Sequence, residues 1–118
     1  MPSALSCLTR VCVVMTMTSS APIQPEVRAL DSVNVRHAGI QKAQAGGITT
    51  VNVMPGSGHL LSGQTAYLKL RDRRTIDALL LTTERGVTGG MKMANGTNSR
   101  RQPPFPGTRA KSAALVRE

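Results

Sequence analysis

The sequence predicts an α/β chain in which short strands alternate with short helices across long loops. Three observations carry that reading. A β-branched run, Ile48-Thr49-Thr50-Val51-Asn52-Val53, is framed by Gly46-Gly47 and Pro55-Gly56, the pattern of a strand between turns. A second run, Gln64 to Leu70, alternates, with Ala66, Leu68 and Leu70 on one side and Thr65, Tyr67 and Lys69 on the other. Helix signals flank these runs: a segment stopped at Gly46, and a threonine opening the closing helix at Thr108. The stretch Ala45 to Arg71 therefore reads helix end, strand, glycine-rich loop, strand. Many α/β proteins build a site with that order, at the carboxyl end of the first strand.

Composition bounds what the chain does. With 118 residues it holds at most one domain, and with one Phe, one Tyr and no Trp it must build its core from Ala, Val, Leu and Met. Eleven Gly and seven Pro imply much loop, so the chain alone is expected to bury too little surface to offset its conformational entropy. The net charge of +9 raises a nucleic-acid reading. The cations are scattered, however, in Arg71, Arg73 and Arg74, in Arg100 and Arg101, and along the tail at Arg109, Lys111 and Arg117. No aromatic side chains interleave with them as stacking platforms, so a solvated basic surface is the stronger reading. Cys7 and Cys12 stand without a second pair or a nearby His, which is not zinc spacing. The apolar run Val11 to Met17 is far too short to span a bilayer and lacks the basic start of a signal peptide. The expectation is a cytoplasmic chain with no membrane partner.

In order along the chain, Met1 to Ala21 show no helical or strand period, Pro22 and Pro25 bracket a short extended piece, and the end is expected to be poorly ordered up to Gln24. In PEVRALDSVN, Pro25 and Glu26 suit the first turn of a short helix, with Asp31 and Ser32 as turn or cap residues. A helix is expected over His37 to Ala45, with Gly46 as its stop. Ile48 to Met54 is a strand mild enough on both faces to lie inside a sheet. Gly56 to Gly63 is a glycine-rich loop that matches neither a GK[ST] phosphate loop nor a GxGxxG turn into a helix. Gln64 to Leu70 is a half-exposed strand, and Thr75 caps a short helix over Ile76 to Leu81. Gly86 to Gly90 is loop, Met91 to Ala94 a short apolar piece, Asn95-Gly96 a turn, and Ser99 to Gly107 an irregular connection. Thr108 caps the closing helix, which carries Ala113, Ala114 and Leu115 as an apolar stripe.

Four blocks of this sequence, PEVRALDSVN, AGGITTVNVMPGSGHLLSGQTAYLKLR, GGMKMANGTN and PPFPGTRAKSAALVRE, resemble consecutive blocks of the amidohydrolase superfamily, in its imidazolonepropionase-like branch. The resemblance runs from Pro25 to Glu118. It implies a metal-dependent (β/α)8 barrel, often with a small flanking β domain, that hydrolyses carbon–nitrogen bonds other than ordinary peptide bonds. One or two divalent ions, usually zinc, would activate the attacking water. The family's partner is a small-molecule amide substrate. The departures are as informative. The family sets a His-x-His pair upstream of the first block, and no His stands before Pro25 here. Its later ligands, a Lys or Glu, two His and an Asp, fall beyond the last block. His37 and His59 are the two histidines of the chain, and neither stands in a His-x-His. A (β/α)8 barrel takes on the order of 250 residues. The expectation is therefore a fragment with two or three barrel strands, helices and long loops. It would have no metal site of its own and no catalytic residue, and would be inactive alone. A truncated or split reading frame, or a misplaced start, would produce it.

Candidate site residues are few. Gly56, Ser57, Gly58, His59, Gly63 and Gln64 would shape a loop on the substrate side, since glycine admits close backbone approach. A tight structural loop explains the same residues as well, and a lone His is more often structural than catalytic. Lys69, Lys92, Asn95 and Asn98 are weaker candidates for polar contacts. Two further readings stand beside the fragment: a basic nucleic-acid or polyanion binder, motivated by net charge alone, and a chain whose barrel is completed by a second polypeptide.

Overall fold

In the computed structural model the described residues are 21–102 and 105–118. Cys7, Cys12, the apolar run at 11–17 and most of the segment expected to be poorly ordered lie outside them. The last residues of that segment are described and bonded: Gln24 N donates to Leu61 O at 3.0 Å and Leu61 N to Pro22 O at 3.0 Å.

The chain is a mixed α/β structure of short elements. Pro25 and Glu26 form a turn rather than a helix start, and the helical piece of this region is a 3₁₀ turn, Ala29–Ser32. Asp31 lies within that turn, paired with Arg28 at 2.8 Å on the exposed surface. Helix α1 is Ala38–Ala45. His37 is its N-cap, not its first residue: Nδ1 accepts from Gly39 N at 3.0 Å, filling the place usually taken by a Ser or Asp oxygen. Gly46 follows the helix at φ −80°, and Gly47, at φ +83°, makes the left-handed reversal.

Strand β1 is Thr50–Val53, shorter than expected, and Val53 alone of its residues is buried. Strands β2 (Leu61–Gln64) and β3 (Ala66–Lys69) follow. The sequence pattern places Leu61 to Gly63 in the loop and starts the next strand at Gln64. The structure makes Leu61–Gln64 a separate strand, with Thr65 between it and β3. Helix α2 covers Ile76–Leu79, and the Thr75 side chain makes no capping bond. The expected loop at Gly86 to Gly90 begins as half of a small hairpin, β4 (Thr82–Thr83) with β5 (Gly86–Val87). The apolar piece after it is strand β6, Met91–Met93. A 3₁₀ turn, Thr97–Ser99, follows the Asn95-Gly96 turn. Helix α3, Arg109–Arg117, is capped as expected, the Thr108 side chain accepting from Lys111 N at 3.2 Å.

The strands pair as three two-stranded antiparallel sheets, β1 with β3, β2 with β6, and β4 with β5. Strands of a (β/α)8 barrel run parallel. Parallel pairing here is confined to isolated bridges, Ile23 with Leu61 and Arg28 with Gln64, which lay the 22–28 segment along β2. The antiparallel register sets Val51 opposite Leu68 and Val53 opposite Ala66. That register turns Val53 and Leu68 into one core with Ala29 and Leu79, against which Val33, Val35, Val51, Ile76 and Leu80 pack. The expected alternation holds within β3, where Ala66 and Leu68 are buried and Tyr67 and Lys69 half-buried, and fails at its ends, where Thr65 is buried and Leu70 only half-buried.

Candidate functional site

The chain leaves β1 at Val53, passes the buried Pro55, and crosses a loop before β2. Its glycines do not supply left-handed backbone at the start of the loop; Gly63, inside β2, does at φ +115°. A Cβ there would drive into the Val27 carbonyl. Gly63 therefore lets the 22–28 segment lie against the strand, at the irregularity where β2 shifts register against β6. Gln64 serves the same contact, its Nε2 donating to Pro25 O at 3.0 Å. Ser62 ties the loop to itself. Its hydroxyl lies 2.8 Å from Gly56 O and 3.3 Å from His59 O, and a single proton favours the shorter bond.

His59 is 95% buried, with a relative exposure of 5%. Its ring stands 5.5 Å from the Phe105 ring, tilted by 42°. The Arg101 guanidinium lies over the other partner of that contact, 3.9 Å from the Phe105 centroid, and its Nη2 donates to Gly58 O at 2.8 Å. Gly58, Arg101, Phe105 and His59 thus form a clamp that fixes the loop to the segment leading into α3, with a cation–π contact at its centre. Burial pushes the His59 imidazole below its ordinary value of 6.5, and the Arg101 charge pushes the same way. His59 is therefore neutral at pH 7. Its buried Nε2 has no hydrogen-bond partner among the described residues.

Sequence reasoning found His59 but missed Arg101 and Phe105. The pattern alone makes Arg101 a surface charge and Phe105 part of an irregular connection. The available signal was the placement of the chain's single Phe four residues after a double Arg.

The remaining candidates do not converge with His59. Lys69 Nζ donates to Thr50 Oγ1 at 2.8 Å, across the β1–β3 pair. Lys92 reaches Met54 Sδ at 3.8 Å and lines a cavity of about 280 Å³ with Asn52 and Tyr67, which the sequence reading had not singled out. Gln64 lines another of about 330 Å³ with Arg28 and Thr65. Asn95 borders a larger groove beside α3, and Asn98 is exposed in the 3₁₀ turn. Among the described residues no three His, Cys, Asp or Glu side chains gather as a metal-holding group. His37 is committed to its cap and His59 is packed on Phe105, so these residues do not fit a catalytic zinc site with about three protein ligands. No described helix is long and apolar enough to cross a membrane.

The chain is similar in structure to an amidohydrolase from Thermotoga maritima MSB8, with a TM-score of 0.69 and 32% sequence identity over 86% of this chain. It spans about a quarter of that protein, 26% of its length. No protein-family model matches the sequence, and no curated protein matches it. The likeness to the Thermotoga chain supports a hydrolase-like origin and agrees with the superfamily resemblance read from the four sequence blocks.

Proposed function

We propose that this chain is a piece of a metal-dependent amidohydrolase, contributing scaffold and a substrate-side loop to a (β/α)8 barrel whose metal ligands come from outside these residues. The observation that carries the reading is the match of 86% of the chain to about a quarter of the Thermotoga amidohydrolase at a TM-score of 0.69. The imidazolonepropionase-like branch, suggested by the sequence blocks, is the finer form of the proposal. On this reading Gly56, Ser57, Gly58, His59, Gly63 and Gln64 act by shape. The clamp by Arg101 and Phe105 holds the loop at the end of β1, and no residue of the chain takes part in bond cleavage. The substrate would be a small amide, and the chain alone would be inactive.

A chimera tests this directly. Residues 21–118 replace the matching quarter of the Thermotoga protein, and hydrolysis of a panel of cyclic amides and N-acyl amino acids is followed with and without a chelator. The expected result is chelator-sensitive hydrolysis by the chimera and none by the 118-residue chain. A folded chimera that hydrolyses nothing its parent hydrolyses would overturn the reading, as would amide hydrolysis by the isolated chain.

A further inference from the structure

Helix α3 is sparsely covered. Ser112 is its one buried residue, and that side chain turns back to Thr108 O at 3.0 Å. Between α3 and the β2–β6 pair runs a groove of about 520 Å³. Leu60, Met93, Ala113 and Val116 form its apolar lining, and the exposed Arg109 and Arg117 line it as well. Leu60 is 1% exposed, whereas Met93 and Val116 are 40% and 46% exposed, so the apolar lining is continuous from the interior to the open surface. Neither arginine forms an ion pair among the described residues.

We propose that this groove is a docking surface for an acidic protein segment, one that places aliphatic side chains over Leu60, Met93 and Val116 and carboxylates against Arg109 and Arg117. Charge decides among the occupants. A second copy of this chain would bring another net charge of +9 against the same two arginines, so self-association on this face is opposed. A nucleic acid would answer the charge but leave the apolar lining uncovered. A polypeptide with both features matches the usual anatomy of an interface, with an apolar centre and arginines at its edge. The chain carries 15 basic and 6 acidic residues, so an acidic partner meets a surface with a surplus of cations.

The test is fluorescence anisotropy with the full 118-residue chain and a short amphipathic peptide, leucine on one face and glutamate beside it. A second peptide carries lysine in place of each glutamate, and single-stranded DNA is the competitor. The acidic peptide should bind, the basic one should not, and added salt should weaken the complex. Arg109→Glu with Arg117→Glu should weaken the acidic peptide by about tenfold or more and improve the basic one. Val116→Asp should weaken the acidic peptide, with circular dichroism confirming that α3 persists. Equal binding of the two peptides would overturn the proposal, as would indifference to Val116→Asp, or displacement by DNA at equal charge concentration. The assay measures no hydrolysis. An inactive chimera that left peptide binding intact would therefore sink the amidohydrolase reading alone, and an active chimera without peptide binding would sink this one alone.

Discussion

Leu68 in β3 and Met93 in β6 both sit in short antiparallel strands, Leu68 paired with β1 and bridged to Leu80, Met93 paired with β2. Leu68 is 0% exposed and Met93 is 40% exposed. The difference lies in what covers the strand pair. The β1–β3 pair receives Ala29 from the 3₁₀ turn and Leu79 from α2, with five further aliphatic side chains around them. The β2–β6 pair receives the 22–28 segment along its edge, but its apolar lining beside α3 opens to solvent. One region has a core of its own; the other has the lining of a core without the second layer. Burial of apolar surface is the main favourable term in folding. Stability in this molecule should therefore be concentrated in the first region, and recognition in the second.

Truncating one side chain in each region gives the largest contrast. Leu68→Ala removes a fully enclosed side chain and leaves a cavity, so it should cost about 2–5 kcal/mol. Met93→Ala removes a side chain already partly hydrated and should fall within about 0.5 kcal/mol of zero. Urea denaturation of the two variants checks this. Equal losses would mean that the β2–β6 face is packed as tightly in solution as the β1–β3 face, and the division between regions would fail.

The same division explains what was legible in the sequence. Strand β3 was readable because one of its faces meets a local core, so alternation at Ala66 and Leu68 survived into burial. Strand β6 was not, since its alternation runs against residue type: Met91 and Met93 are exposed and Lys92 between them is half-buried. Strand β2 was hidden for a different reason. Ser62, Gly63 and Gln64 are turn-like residues, and they form a strand by pairing with β6, about 30 positions later, and by bridging to residues 22–28, about 40 positions earlier, contacts that no local pattern announces. Helix α3 was legible because its cap is local chemistry, Thr108 to Lys111. The His59 clamp was half legible: a buried histidine needs neighbours, but the neighbours come from a connection whose course depends on tertiary packing. The resemblance to amidohydrolases suggested parallel barrel strands, whereas the pairing seen in this chain is antiparallel, and parallel contacts are limited to the 22–28 segment.

The clamp joins the two regions, since it ties the loop after β1 to the segment before α3, and acid should probe it. In the unfolded chain His59 titrates near its ordinary 6.5. In the folded chain burial, and then the Arg101 charge, hold it lower. As pH falls through 6.5 the unfolded state takes up a proton that the folded state does not, so stability declines until the folded-state value is passed, and then levels. Melting temperature should fall between pH 7.5 and 5.5, and the fall should shrink in His59→Gln, which cannot take up that proton. His37 is present in both proteins, so the difference between them isolates His59. An unchanged pH dependence in His59→Gln would show that the imidazole is not enclosed by Phe105 and Arg101 in solution.

The smallest effect sharpens the comparison most, because it is local. Thr108→Ala removes the acceptor for Lys111 N at the start of α3, which should cost about 1 kcal/mol of helix stability. In a helix packed into a shared core, that loss would be spread over the cooperative unit and would appear in global unfolding. Helix α3 buries Ser112 alone, so the loss should appear as fraying instead. Amide exchange should quicken about fivefold across residues 111–117, and stay unchanged in β1 and β3. If the acidic peptide seats in the groove, adding it should restore the protection that Thr108→Ala removes, because a ligand bound to the ordered helix shifts the local equilibrium toward that state. Faster exchange in β3 as well would mean that α3 and the β1–β3 core unfold together, and that the molecule is one cooperative unit.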